Sequence, residues 1–274
     1  MRNSTKKFTS TVLSFVFLAI AVVATHAQST STSDDWTGVY VGGHAGITVG
    51  RTGVNTSTIF SPTGYFFTTS VPAVNAAGAQ TIESNGFNGG GQAGYNKQFG
   101  RFVIGAEADF GAHGINKEIV SGDEYPCCST EFEIAQSVKT RWMFTARPRV
   151  GVTAGPALLY ATGGLAMTDV EYNAVFTDND SDALETASFK KTRTGYAAGG
   201  GVEVKMSDRW SAKVEYLFAD FGRVSGTSNN LTTTDFGGKE VVGGSGTITW
   251  PENTFTHSAR VKSHNIRFGM NYRF

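Results

Sequence analysis

Between Ile266 and Phe274 the chain alternates without a fault. Ile266, Phe268, Met270, Tyr272 and Phe274 are large and apolar, while Arg267, Gly269, Asn271 and Arg273 stand between them. A strict period of two predicts a β-strand with one apolar face. The same rhythm recurs upstream. Over 36–49, Val39, Val41, Ala45, Ile47 and Val49 share one face, and Trp36, Tyr40 and His44 share the other with Gly38, Gly42 and Gly46. Over 87–99, Phe87, Ala93, Tyr95 and Phe99 oppose Asn88, Gln92, Asn96 and Gln98. Strand 102–112 sends Phe102, Ile104, Ala106, Ala108 and Phe110 to one side and Glu107 and Asp109 to the other.

Four further strands complete the set. Strand 138–152 places Trp142, Phe144, Ala146, Pro148, Val150 and Val152 against Arg141, Arg147 and Arg149. Strand 157–171 alternates less cleanly. Strand 192–206 sets Tyr196, Ala198, Val202 and Val204 against Gly195, Gly199, Gly201, Glu203 and Lys205. Strand 210–220 sets Trp210, Ala212, Val214, Tyr216 and Phe218 against Lys213 and Glu215, and the last strand is 260–274. Short turns fall at Gly100-Arg101, 153–156 and 207–209. Polar stretches at 51–86, 113–136, 173–190 and 222–258 are expected as long loops.

Eight strands, three short turns and four long loops predict an all-β fold: an eight-stranded antiparallel transmembrane β-barrel with short periplasmic turns and long extracellular loops. A closed barrel leaves no edge strand unpaired in lipid. The outward aromatics sort by height. Phe99, Phe102, Trp210, Tyr272 and Phe274 gather at the turn end, and Phe87, Phe110, Trp142, Phe144, Tyr196 and Phe218 toward the loop end. Two aromatic belts around an Ala/Val/Ile band match the two interfaces of a bilayer.

The N-terminus supports export. Arg2, Lys6 and Lys7 precede an apolar run over 12–24, and Thr25 and Ala27 occupy the −3 and −1 places of a cleavage site. Residues 1–27 are therefore expected as a signal peptide, 28–35 as a flexible tail and 36–274 as the barrel domain. The remaining 274 − 27 = 247 residues suffice for one large β-domain. The full chain carries 23 basic and 23 acidic residues, so loss of the basic leader leaves a slightly acidic protein. No basic block invites nucleic acid. With 34 Gly against 6 Pro, the composition fits crowded strands better than a linker.

Two features carry candidate chemistry. Cys127 and Cys128 are adjacent and cannot staple distant segments. A vicinal disulfide, an intermolecular bridge and free thiols all remain open, and no neighbouring ligands nominate a metal. The inner face offers a charge network of Glu107, Asp109, Arg141, Arg147, Arg149, Glu203, Lys205, Lys213, Glu215 and Arg267. Charges there must be paired or watered. An eight-stranded barrel is only wide enough to be filled by its own side chains. The network is thus expected to fill the lumen, with the lining of a narrow pore as the alternative.

The stretch Trp36 to Gly46 resembles the opening strand of the opacity-like small outer-membrane barrels, the porin-family surface antigens of α-proteobacteria. So do Gly90 to Phe110, Leu159 to Ala166, Trp210 to Tyr216 and Asn271 to Phe274. The resemblance implies an outer-membrane location in a Gram-negative cell. It also implies insertion by the barrel-assembly machinery, with Phe268, Met270, Tyr272 and Phe274 as the assembly signal. Contact with outer-membrane lipid, envelope integrity and host or envelope contacts through the loops follow from it as expectations. Some such barrels bind haem. The paired Cys and the long stretches 51–86 and 222–258 depart from the family's usual pattern.

Function is therefore expected to be structural and interactive, with a narrow porin or small-solute transporter as the alternative and haem binding a weaker third. A haem would need an axial His or Tyr. His44 points inward, His113 and His257 are expected in loops, and His264 lies near the outer end of the last strand. No cofactor is expected. No Gly-x-Ser-x-Gly elbow is present, and nothing nominates a catalytic nucleophile.

Overall fold

The computed structural model describes residues 35–128, 130–179, 181–234 and 246–274. The expected signal peptide and residues 28–34 of the tail lie outside them. Strands β1 (Gly38–Thr58), β2 (Ala79–Phe99), β3 (Phe102–Glu124), β4 (Glu131–Ala154), β5 (Ala157–Asp178), β6 (Leu184–Lys205), β7 (Trp210–Ser228) and β10 (Phe255–Arg273) form the wall. Helix α1 (Ser70–Gly78) joins β1 to β2, and β8 (Thr232–Thr233) and β9 (Ile248–Thr249) make a short ribbon beyond β6. The order β5-β4-β3-β2-β1-β10-β7-β6 closes through a β5–β6 pairing, so the eight long strands make a ring. The chain ends seal it: Tyr40 lies opposite Arg273, and the ladder runs on to Thr58 opposite Phe255.

The expected strands and facings hold through the membrane-spanning region. Phe268 and Phe274 are 60% and 77% exposed on the outer wall, while Arg267 and Asn271 are buried. At the turn end, Phe99 sits opposite Phe102, and Trp210 packs edge-on against Tyr272 with ring centres 5.2 Å apart. At the other interface, Phe110 meets Trp142 at 5.9 Å and Phe218 meets Tyr196 at 6.1 Å. Gly100 and Gly155 turn the chain with φ of 61° and 56°, the left-handed region a side chain resists.

The expected long loops are a different matter. Strands run 19 to 24 residues, so most of 113–136 and 173–190 and both flanks of 51–86 and 222–258 are ladder. The connections shrink to 59–78 with its helix, 125–130, 179–183 and 229–254. The physical reason is the change of solvent. Above the lipid the outer face meets water and turns polar, while many inner positions are Thr, Ser, His or Gln. Apolar contrast vanishes although the hydrogen-bonded ladder continues. On β1 the inner positions Tyr40, His44, Thr48, Thr52 and Thr56 recur every four residues, all buried, straight across that change.

The second correction is Arg141. The β4–β5 register slips between Lys139 and Met143, a bulge that reverses side-chain parity. Arg141 therefore points outward, with its side chain 46% exposed, and bonds Asp169 at 3.1 Å and Glu171 at 2.6 Å.

Candidate functional site: the filled barrel interior

The interior is stacked in layers. At the periplasmic mouth Trp36 is fully buried. Its amide donates to Gln98 Oε1 at 2.7 Å, and Lys205 and Arg273 lie 5.2 and 4.9 Å from its ring centre. Both cations donate to the Asp35 carbonyl at 2.7 Å. Hydrogen bonds from Thr37 hold the Asp35 carboxyl below its usual range. Lys205, expected in the central network, thus belongs to this lower plug.

Above it the inner faces of β1, β3, β4, β6, β7 and β10 converge on an ion cluster. Arg147, Arg149, Lys213 and Arg267 supply four cations, and Glu107, Asp109, Glu203 and Glu215 four carboxylates, all buried. Glu107 accepts from Arg147 at 3.0 Å, from Lys213 at 2.9 Å and from the Tyr40 hydroxyl at 2.9 Å, with Arg149 at 3.5 Å. Asp109 joins Arg147 at 2.9 Å and Arg267 at 3.0 Å, and accepts from Thr145. Glu215 meets Arg147 at 3.3 Å and the Tyr160 hydroxyl at 3.0 Å. Glu203 takes Arg149 at 2.7 Å, Ser211 at 2.6 Å and Asn271 at 2.8 Å. The Arg149 guanidinium lies 4.1 Å from the Tyr160 ring centre. Eight of the ten expected network residues meet here, with charge cancelled within the cluster. Tyr40 and Tyr160 were missing from the expectation.

Two glycines make room for those phenols. A Cβ on Gly94 would lie 2.4 Å from the Tyr40 ring, and one on Gly201 would lie 2.8 Å from the Tyr160 hydroxyl. The crowded interior expected from the glycine count is physically this.

Next come an amide–hydroxyl layer, with Thr48 donating to Asn265 at 2.6 Å and Asn88 to Thr48 at 3.1 Å, and an apolar layer around Ile115, Val138, Tyr172, Leu217 and Phe221. His113 and His257 stand inside the barrel, fully buried, rather than in loops. His113 bonds Thr140 at 3.1 Å and Ser263 at 3.2 Å. His257 bonds Thr56 at 3.1 Å and Ser228 at 2.8 Å, with Glu185 3.4 Å away. Both nitrogens of each ring are engaged, so neither imidazole offers haem iron an open lone pair without breaking the interior. Beside them, burial pushes the Tyr172 phenol up to about 12.

Ser228, His257 and Glu185 are the residues of a hydrolytic set in mutual contact, and no sequence motif announced them. Their geometry is wrong for acyl transfer. The carboxylate meets the same imidazole nitrogen as the serine and bonds the serine directly. A triad needs the acid on the other nitrogen, which here faces Thr56.

An aromatic cap closes the outer end. Phe66 meets Phe176 at 5.5 Å, Phe255 at 5.8 Å and Tyr65 at 5.1 Å, and Val74 of α1 is buried among them. Asp178 accepts from the Tyr65 and Tyr125 hydroxyls at 2.5 and 3.1 Å. Cys127 and Cys128 form a vicinal disulfide in the exposed β3–β4 turn beside this cap.

Lipid-facing Val, Ile and Phe outside, two aromatic belts, antiparallel closure and an ionic lumen define an outer-membrane β-barrel. A family model for the outer membrane protein beta-barrel domain matches residues 15–274, and the chain belongs to that family. It is 33% identical over 241 residues to the 31 kDa outer-membrane immunogenic protein of Brucella melitensis biotype 1, covering 87% of this chain and 84% of that relative. Over 136 residues it is 35% identical to the 22 kDa outer membrane protein of Rhizobium leguminosarum bv. viciae, covering 50% and 53%. Among solved structures, OprG from Pseudomonas aeruginosa aligns over 88% of this chain and 99% of its own at 10% identity, with a TM-score of 0.42. The resemblance to small outer-membrane surface antigens of α-proteobacteria is thereby established, and the protein is an outer-membrane protein.

Proposed function

We propose that the protein is a plugged surface barrel. It anchors and displays an extracellular end for contact, supports the envelope mechanically and passes no continuous stream of solute. One observation carries this reading: the lumen is filled at every level, by the Trp36 plug, the neutral ion cluster, the apolar layer and the aromatic cap. Charges neutralised by protein partners do not offer a permeating ion a replacement for its hydration shell. The names of the related immunogenic proteins fit display at the surface. Insertion by the barrel-assembly machinery belongs to the same reading, with exposed Phe274 beside Tyr272 at the chain end.

Planar-bilayer recording tests it. Purified, folded protein is expected to insert without sustained unitary currents. Reproducible ion-conducting steps that scale with protein added would replace this reading with the narrow porin.

A further inference from the structure

The outer wall carries an arrangement that the filled lumen does not explain. On the ladder between β1 and β10, Arg51 stands directly opposite Lys262; on the ladder between β10 and β7, Arg260 stands directly opposite Arg223. Directly opposed residues share a face, and like charges there destabilise the sheet. Among the described residues Asp220 is the acid paired with them, its side chain 4% exposed, 2.9 Å from Arg260 and 3.7 Å from Lys262. The side chains of Arg51 and Arg223 make no hydrogen bond or ion pair among the described residues. Glu83, across from Arg51 on β2, forms no ion pair with it. Elsewhere around the described wall, like charges stand directly opposed at the rim of the β3–β4 ladder, Glu124 against Glu131, while lower pairs are complementary. Lys139 stands opposite Glu171, and Arg141 bonds Asp169 and Glu171.

Height places this cluster. Val41 is level with Tyr272 of the lower aromatic belt, and Arg51 is ten residues further along the same strand. At about 3.3 Å per residue and a tilt of about 40°, the vertical distance is about 25 Å, the height of a barrel's apolar band. Directly below the four cations lie Phe218 and His264, ring centres 5.2 Å apart, in the outer belt. The cations border a cleft of about 510 Å³ floored by Gly53, where added side-chain bulk would meet open space. Lower on the same strands the wall is concave and apolar. This trough runs along Ala45, Val202, Val214, Tyr216, Phe268 and Met270.

We propose that this face binds a phosphate-bearing lipid of the outer leaflet. Its acyl chains lie in the trough, and its headgroup phosphate sits on Arg51, Arg223, Arg260 and Lys262. The opposed like charges are then a built site whose counter-ion comes from the membrane. Guanidinium forks suit phosphate oxygens. Asp220 keeps two of the cations in place while leaving Arg51 and Arg223 unclaimed.

The test is native mass spectrometry of the folded full chain released from detergent micelles, with added bis-phosphorylated lipid A. One-to-one binding is expected, weakened at least about tenfold when the same lipid is dephosphorylated. The Arg51→Gln/Arg223→Gln/Lys262→Gln variant should bind about a hundredfold more weakly, at about a factor of five per basic residue near a surface. Lys117→Gln/Lys139→Gln, on β3 and β4, should bind like the parent. Heat-dependent gel mobility checks that each variant is folded. Should the triple variant not fold, Arg51→Gln and Arg223→Gln are measured singly, and each should weaken binding at least about threefold. The proposal is overturned if these variants bind as the parent does, or if the dephosphorylated lipid binds equally well. Displacement of the lipid by millimolar inorganic phosphate would mark a free-anion site, and equal binding of a sulfated glycan would mark a soluble polyanion partner. Either result also overturns it.

Discussion

Removing one carboxylate from the ion cluster gives a demanding test of how this barrel is filled. Glu107 is the natural choice, because Lys213 forms an ion pair with that carboxylate and is placed by it, 2.9 Å from both oxygens. At that distance and an effective dielectric of about 20, the attraction between unit charges is about 6 kcal/mol. Desolvation of two buried ions takes back much of it, so the intact pair contributes little net. One-sided removal is different: Glu107→Gln strands an ammonium in the lumen, at a cost of about 3–5 kcal/mol. Four cations would then face three carboxylates. The double change Glu107→Gln/Lys213→Met restores three against three and is expected to recover at least half of that loss. The assay is urea unfolding from lipid vesicles, with the folded fraction read from the mobility difference between folded and unfolded chains. A Glu107→Gln barrel within about 1 kcal/mol of the parent would refute the reasoning, because a stranded buried charge costs more. So would a double variant weaker than the single.

Other perturbations address the wall and the chain end. Val214→Arg places a charge in the apolar trough and should cost about 2–4 kcal/mol in the same unfolding assay, and a negligible change would mean this face does not meet hydrocarbon. Phe274→Ser removes an exposed terminal ring that no interior contact requires. It should lower the amount of folded barrel recovered from outer-membrane fractions while leaving refolding into detergent unchanged; normal outer-membrane levels would separate that ring from assembly.

How far the sequence could be read depended on what the outer face touched. Where it touches lipid, apolar and polar residues alternate in full contrast. Strands and facings from Val39 to Ile47 and from Phe268 to Phe274 could therefore be read residue by residue. The carboxylates and guanidiniums of the ion cluster were legible for the same reason, since each falls on the opposite parity to a lipid-facing neighbour. Beyond the outer belt water bathes the wall, contrast disappears, and His113 and His257 passed for loop residues although both are buried on strands. The spacing of Thr48, Thr52 and Thr56 was the signal that could have extended β1. Arg141 failed for a separate reason. A bulge inserts a parity change that no local composition announces, and the residue crossed from lumen to surface. The cap aromatics Tyr65, Phe66 and Trp250 come from two connections and meet only through tertiary closure, which periodicity does not encode.

The long ladders have an immunological corollary. Past the bilayer the chain continues as a hydrogen-bonded turret, and the tips at 125–130 and 179–183 are only a few residues long. An antibody approaching its side would touch alternate residues from several neighbouring strands, a footprint that no linear peptide reproduces. Sera raised against denatured protein should therefore map chiefly to the tips and recognise whole bacteria poorly, while sera raised against the folded barrel should lose most of their binding on boiling.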